Sequence, residues 1–114
     1  MDKIYIKIIN KTEDYIEENK HRKITLEDVA NNINLSPYHF HRLFTKYSKE
    51  TLNQFVTRMK MERSAMFLVV NKDITITEIA YKYGYTSSSS YNKAFKKYYG
   101  VSPTEYRKAR MEKL

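Results

Sequence analysis

Ile4, Ile8, Ile9, Thr12, Tyr15 and Ile16 recur at helical spacing, which predicts an amphipathic helix over residues 4–19. "HRK" at 21–23 breaks the pattern. Thr25 follows as an N-cap with Asp28 at N3, a variant of the capping box, and Ile24 at N′ is placed to pack on Val29 at N4. A short helix over 26–32 is expected, with "NINL" as the turn after it. Ser36 caps the next helix, with Pro37 at N1 where a missing N–H costs nothing, and this helix runs to about Tyr47. Thr51 and Gln54 form another capping pair and open a long helix from about 52 to 70. Its apolar positions include Phe55, Met59, Met66, Phe67 and Val70.

The pattern then repeats. "ITLEDVANNINL" (24–35) is echoed by "ITITEIAYKYGY" (74–85), "FHRLFTKY" (40–47) by "YNKAFKKY" (91–98), and "TLNQF" (51–55) by "SPTEY" (102–106). In the second copy Thr75 and Glu78 form the box, Ile74 and Ile79 the staple, and Ser87 is the N-cap matching Ser36. Ser102 and Glu105 repeat the capping spacing, with Pro103 at N1. A duplication this detailed implies two copies of one supersecondary unit. Each is a short helix, a tight turn and a second helix. Ala30 and Ala80 allow close approach, and Asn34 and Gly84 sit in the turns, where both residue types tolerate positive φ. This is the plan of a helix-turn-helix.

The expected fold is therefore all-α: two helix-turn-helix units joined by a long central helix, about seven helices in total. Residues 1–50 hold the N-terminal helix and first unit, 51–71 the linking helix, and 72–114 the second unit and C-terminal helix.

Composition narrows the function. Two glycines and two prolines in 114 residues leave little room for hairpins or flexible linkers. Lysine and arginine number 21 against 13 acidic residues, a net charge of +8, which favours an anionic partner: nucleic acid, a membrane face or an acidic protein. The excess is greater in residues 75–114, with eight basic and three acidic side chains, than in 1–74, with thirteen and ten. The absence of cysteine excludes a disulfide scaffold and a thiolate zinc site, and fits a reducing compartment such as the cytoplasm. No apolar run is long enough to span a membrane, and "MDKIYIKIINKTEDY" turns polar too soon for a signal peptide.

In the helix over 37–47, Phe40, Leu43, Phe44 and Tyr47 form the core stripe. The opposite face carries Pro37, Tyr38, His41, Arg42 and Thr45. Arg42 can fork onto a guanine edge, His41 can bond a base or phosphate, and Tyr38 can pack on a thymine methyl or a sugar. In the second copy the core stripe is Tyr91, Ala94, Phe95 and Tyr98, and Ser88, Ser89, Asn92, Lys93 and Lys96 face outward. Lys93 takes the place of Arg42 without its bidentate fork, so less base discrimination is expected there. Ser36, Thr45 and Lys46 in the first unit, and Ser87, Lys96, Lys97 and Arg107 in the second, are candidates for phosphate contacts. The nineteen-residue linking helix would be roughly 29 Å long, against about 34 Å between successive major grooves on one face of a duplex. Any shortfall would bend the DNA.

These residues resemble the DNA-binding domain of the AraC/XylS family of bacterial transcription regulators, over about Ile8 to Arg107. The strongest part is "ITITEIAYKYGYTSSSSYNKAFKKYYGVSPTEYRK" (74–108), with Ile79, Ala80, Gly84, Tyr85, Ser87, Phe95, Gly100, Ser102, Pro103, Tyr106 and Arg107 in place. "FVTRMKMERSAMFL" (55–68) is similar to the family's connecting helix. The resemblance implies seven helices, with the second helix of each unit entering a major groove. That assigns base reading to Tyr38, His41 and Arg42, and to Ser88, Ser89, Asn92 and Lys93. It implies double-stranded DNA as partner and contact with RNA polymerase, and it favours activation while leaving the direction of control open. Many members carry a second domain for an effector or for dimerisation; this chain is similar to the small stand-alone ones, but it equally reads as a DNA-binding fragment of a longer protein with such a domain, and Met1 favours an intact N-terminus. Three positions depart from the pattern. Lys49 and Glu50 replace a glycine and an apolar residue, so either Lys49 holds a left-handed cap or that turn differs in shape. Ser90 stands where an aromatic is common.

Other chemistries fare poorly. His39 and His41 are two apart on a helix and diverge, so they do not make a metal pair; His39 is expected as a half-buried wall residue or phosphate contact. The serines near Ser87 have no acid–base partner at recognisable spacing, there is no Gly-rich phosphate loop, and most of the tyrosines fall in core stripes or turns. No enzyme activity, cofactor or metal is expected. Arg107, Lys108, Arg110 and Lys113 also read as a solvated basic face. The rival reading is a helical protein-interaction module that holds RNA polymerase or another regulator and binds DNA only non-specifically.

Overall fold

The computed structural model describes residues 3–111, which form seven helices and no strand. They are α1 (Lys3–Glu18), α2 (Leu26–Asn32), α3 (Pro37–Tyr47), α4 (Leu52–Val70), α5 (Ile76–Lys82), α6 (Ser88–Tyr99) and α7 (Pro103–Met111). Lys113 lies outside the described residues. The chain divides into two compact units at the Met59–Lys60 bond, inside α4.

The first unit is built on its caps. Thr25 accepts from the Asp28 N–H at 3.1 Å while the Asp28 carboxylate accepts from the Thr25 N–H at 3.0 Å. Both members of the staple, Ile24 and Val29, are buried in one core with Ala30, Phe40, Phe44 and Phe55. The turn is made by Asn34 at φ +59°, the non-glycine residue with positive φ among the described residues. It lets the Leu35 N–H return to the Ala30 carbonyl at 2.9 Å. Phe40 stacks on Phe44, which meets Phe55 edge-on, each pair with centroids 5.7 Å apart.

The second unit repeats the plan with different fillings. Thr75 caps α5 by accepting from the Glu78 N–H at 3.0 Å. Gly84 at φ +88° takes the place of Asn34, and the Tyr85 N–H bonds the Ala80 carbonyl at 2.9 Å. Tyr91 and Phe95 fill the core with Ile79, Tyr83, Met61 and Leu68. The buried Tyr91 hydroxyl donates to Ser64 Oγ at 2.9 Å, and Ser64 donates to the Met61 carbonyl at 2.9 Å.

Four expectations are corrected. Tyr98, placed in the core stripe of α6, is 44% exposed, with its hydroxyl 3.5 Å from Glu62. Tyr99 takes the inner position instead, because α7 packs on that flank: Tyr106 meets Phe95 at 5.3 Å and Tyr99 at 5.1 Å. Met66 and Val70 are exposed, and the buried residues of α4 are Phe55, Val56 and Met59 in one half and Met61, Ala65 and Leu68 in the other. Each half serves its own core, so no single stripe runs the length of the helix. Ile4 is also exposed, and Tyr5 is buried beside Tyr47, ring centroids 4.8 Å apart.

Lys49 holds no left-handed cap; of the two alternatives, the turn differs in shape. α3 ends on an extended Ser48 (φ −103°), whose hydroxyl accepts from the Glu50 N–H at 3.2 Å. α6 ends on Gly100 at φ +81°. Glu50 is accommodated by Arg58, whose Nε reaches both carboxylate oxygens at 3.1 and 3.2 Å and whose Nη2 lies 2.6 Å from Oε1.

Candidate nucleic-acid interface

α3 is held by its ends and its inner face. Ser36 Oγ accepts from the His39 N–H at 3.1 Å, Pro37 occupies the first turn, and Phe40 and Phe44 anchor the helix in the core. With the inner face fixed, helical geometry presents Tyr38, His41, Arg42, Thr45 and Lys46 outward, and all five are exposed. Tyr38 is 77% exposed, which leaves a whole aromatic face in solvent. Thr45 turns its hydroxyl back onto the His41 carbonyl at 2.8 Å, so its proton serves the helix. Lys46 lies over the Tyr47 ring at 5.2 Å. Neither α3 nor α6 contains an acidic residue.

α6 presents the equivalent face with much of its polarity already used. Ser87 Oγ accepts from the Ser90 N–H at 3.1 Å, and Ser90 Oγ donates to the Ser87 carbonyl at 3.0 Å. Asn92 Nδ2 donates to the Ser88 carbonyl at 2.7 Å. Ser87, Ser88, Ser90 and Asn92 are half-buried, whereas Ser89, Lys93, Lys96 and Lys97 are exposed. The exposed set of α6 is thus the Ser89 hydroxyl and three ammonium groups, with the Tyr98 phenol beside them in sequence. Glu105 lies near this set. Its carboxyl is held below the usual range by the Ser102 hydroxyl and N–H, with a contribution from Lys96.

Arg107 is placed elsewhere. Its Nε donates to the Leu68 carbonyl at 2.9 Å, and its Nη2 to the carbonyls of Asn71 at 3.2 Å and Ile74 at 2.8 Å. These are orphan acceptors at the C-terminal end of α4 and in the loop after it, where a cation is favoured. Arg107, expected at a phosphate, is held in this clamp. His39, expected as a half-buried wall residue or a phosphate contact, is exposed, which sets aside the first alternative. Among the described residues no three His, Asp or Glu side chains come together as metal ligands.

Sequence reasoning missed one region of this face. His41 borders an open depression of about 430 Å3 with Lys23, Thr25, Leu26, Thr51 and Asn53. Thr25 and Thr51 cap α2 and α4, so the N–H-bearing ends of two helices open beside His41. The capping motifs were the available signal: they mark where backbone donors reach the surface.

The helix-turn-helix domain family model matches residues 29–109. The regulatory protein PocR of Salmonella typhimurium is 39% identical over 93 residues, covering 82% of this chain and 30% of that protein. The multiple antibiotic resistance protein MarA of Escherichia coli is 31% identical over 99 residues, covering 87% of this chain and 77% of MarA. The chain spans only 36% of the Msm operon regulatory protein of Streptococcus mutans. Among solved structures, the C-terminal domain of AraT, a response regulator from Geobacillus stearothermophilus, superposes with a TM-score of 0.74 at 33% identity, covering 90% of this chain and 85% of that one. A DNA-binding transcriptional dual regulator from Escherichia coli K-12 superposes with a TM-score of 0.81 at 25% identity, covering 92% and 93%. The DNA-binding domain of AdpA, solved with a target DNA, shares the fold at a TM-score of 0.74 and 21% identity, covering 92% and 94%. By its duplicated capped helices, its matched family model and these relatives, the chain belongs to the helix-turn-helix family of AraC/XylS-type bacterial transcription regulators.

Proposed function

We propose that the protein is a sequence-specific, double-stranded DNA-binding transcription regulator that inserts α3 and α6 into adjacent major grooves. The observation that carries this reading is the outer face of α3. Tyr38, His41 and Arg42 stand exposed on a helix fixed by its cap and core, with no carboxylate on that helix to repel phosphate. Arg42 supplies the bidentate donor that suits a guanine edge, His41 a second polar contact, and Tyr38 an aromatic plate for a methyl or sugar. Ser36, Thr45 and Lys46 flank this set toward the backbone. Lys23, Thr25, Thr51 and Asn53 extend it on the His41 side.

The two units divide the work unequally. With Asn92 bonded to its own helix, α6 is left with Ser89 and Lys93 for bases and with Lys96 and Lys97 for phosphate. Ammonium groups hold a backbone but discriminate bases poorly. The first unit therefore selects sequence and the second chiefly supplies affinity. Control of transcription, contact with RNA polymerase and a cytoplasmic location belong to the same reading, and it requires no enzymatic chemistry.

Selection of sites from a random duplex library tests it. Two half-sites about ten base pairs apart are expected, one well defined and one degenerate. If the selected pool shows no preference at moderate salt, the chain is instead a helical protein-interaction module with non-specific DNA affinity.

A further inference from the structure

α1 carries a stripe that its core consumes only in part: Ile8 is buried in it, while Ile4, Lys7 and Lys11 are exposed. Ile4, Lys7, Ile8 and Lys11 follow i, i+3, i+4, i+7 spacing along one side of the helix. With Ile33 and Leu35 from the α2–α3 turn, and His39 and Leu43 from α3, they line an open groove of about 450 Å3 within the first unit. Its floor is aliphatic, and at its mouth Ile4 is 62% exposed. Its polar lining is Lys7 and Lys11 on one wall and His39 on the other, with no carboxylate among the lining residues.

An apolar trough with Lys7 and Lys11 along one wall selects its occupant by charge. Duplex DNA offers phosphates, but its methyl and sugar surfaces are too small to fill an aliphatic trough of this volume. A second copy of this chain brings a further +8 of like charge. Lys7 and Lys11 stand one helical turn apart. That interval matches carboxylates at i and i+4 on an incoming helix. We propose that this groove receives an acidic amphipathic helix of a protein partner, its aliphatic stripe on Ile4, Ile8 and Leu43 and its carboxylates on Lys7 and Lys11. Tyr38, His41 and Arg42 of the outer face of α3 are not among the lining residues. The proposal stands independently of what that face binds.

The test uses the whole chain without DNA and a fluorescein-labelled model helix with leucines at i, i+3, i+4 and i+7 flanked by glutamates. Fluorescence anisotropy should show saturable binding that weakens as salt rises. Lys7→Glu with Lys11→Glu should weaken it about tenfold or more, and the same variant should gain affinity for the analogue with lysine flanks. Ile4→Asn, at an exposed position, should weaken binding with an unchanged circular-dichroism spectrum. Lys72→Glu, in the other unit, should leave it unchanged. Three results would each overturn the proposal: equal binding by groove variants and the parent chain, displacement of the peptide by dodecanoate at stoichiometric concentration, or concentration-dependent dimerisation abolished by Ile4→Asn.

Discussion

The phenol of Tyr91 donates to the hydroxyl of Ser64, 2.9 Å away, and both side chains are fully buried. This bond ties the inner face of α6 to the second half of α4. The equivalent inner position of α3 is Phe40, which carries no such hydroxyl. The second unit therefore places a satisfied polar pair where the first places an aromatic ring among apolar neighbours. Burial, only partly opposed by the Ser64 bond, pushes the Tyr91 phenol well above its usual value.

A double-mutant cycle on this pair should be non-additive. Ser64→Ala leaves the Tyr91 O–H buried without its acceptor and should cost about 1–3 kcal/mol. Tyr91→Phe removes the donor while Ser64 keeps its bond to Met61, and should cost about 1 kcal/mol. The double variant should cost less than the sum of the two, as read by urea denaturation. Additive losses would show that the bond contributes nothing.

Arg42 and the lysines of α6 should fail in different ways. Arg42→Ala should cost about 1–3 kcal/mol on the preferred duplex and little on a scrambled one. Lys96→Ala or Lys97→Ala should weaken both duplexes alike and reduce the salt slope by about one. Titration of each variant against both duplexes at several salt concentrations separates the outcomes. An unchanged preference in Arg42→Ala would remove it from base reading.

Arg107→Ala should act on folding rather than on DNA. Its guanidinium serves three carbonyls, and bonds from a charged donor contribute about 1.5–3 kcal/mol each when well buried. Here the clamp is only partly buried, so a total loss of about 2 kcal/mol is expected by thermal denaturation. The salt slope of DNA binding should stay at the parent value. A slope reduced by about one at unchanged stability would restore the phosphate role.

Stability should also fall on the acid side through two capping carboxylates. Asp28 is held below the usual carboxylate range first by the Thr25 N–H, then by the Thr25 side chain and Arg22. Glu105 is held down first by the Ser102 hydroxyl, then by its N–H and by Lys96. In each case the folded value lies below the unfolded one, so the folded state binds the proton more weakly. The contribution is complete above the unfolded value of about 4 and disappears as pH falls through the depressed folded value. Asp28→Asn and Glu105→Gln should each flatten the acid limb of a stability–pH curve and leave its neutral-to-alkaline course unchanged. An acid limb as steep as the parent's in both variants would refute the assignment.

Much of this fold was legible because its signals are local. The caps at Thr25, Ser36, Thr75 and Ser87 fixed where α2, α3, α5 and α6 begin, and each hydroxyl accepts from the expected N–H. Asn34 and Gly84 announced positive φ through their residue types, and both show it. What stayed hidden depends on neighbours distant in the chain. Tyr98 and Tyr99 are equally aromatic and adjacent, and only the approach of Tyr106 from α7 decides which goes inward. Met66 and Val70 are as apolar as the buried positions of α4, but that helix feeds two cores and leaves both exposed. Arg107 reads as one more surface cation until the carbonyls of Leu68, Asn71 and Ile74 converge on it. The outward residues of α3 followed from its wheel, whereas the internal bond that occupies Asn92 did not.

Gly100 closes α6 at φ +81°, and a Cβ added there would meet nothing within 4 Å. Size is therefore no constraint at this position; handedness alone is. Alanine would fit the available volume and still lose about 1–2 kcal/mol through its dihedral preference. Asparagine, which accepts the same backbone region at Asn34, should recover much of that loss. Natural drift at this site should thus run from glycine toward asparagine before it tries any compact aliphatic residue.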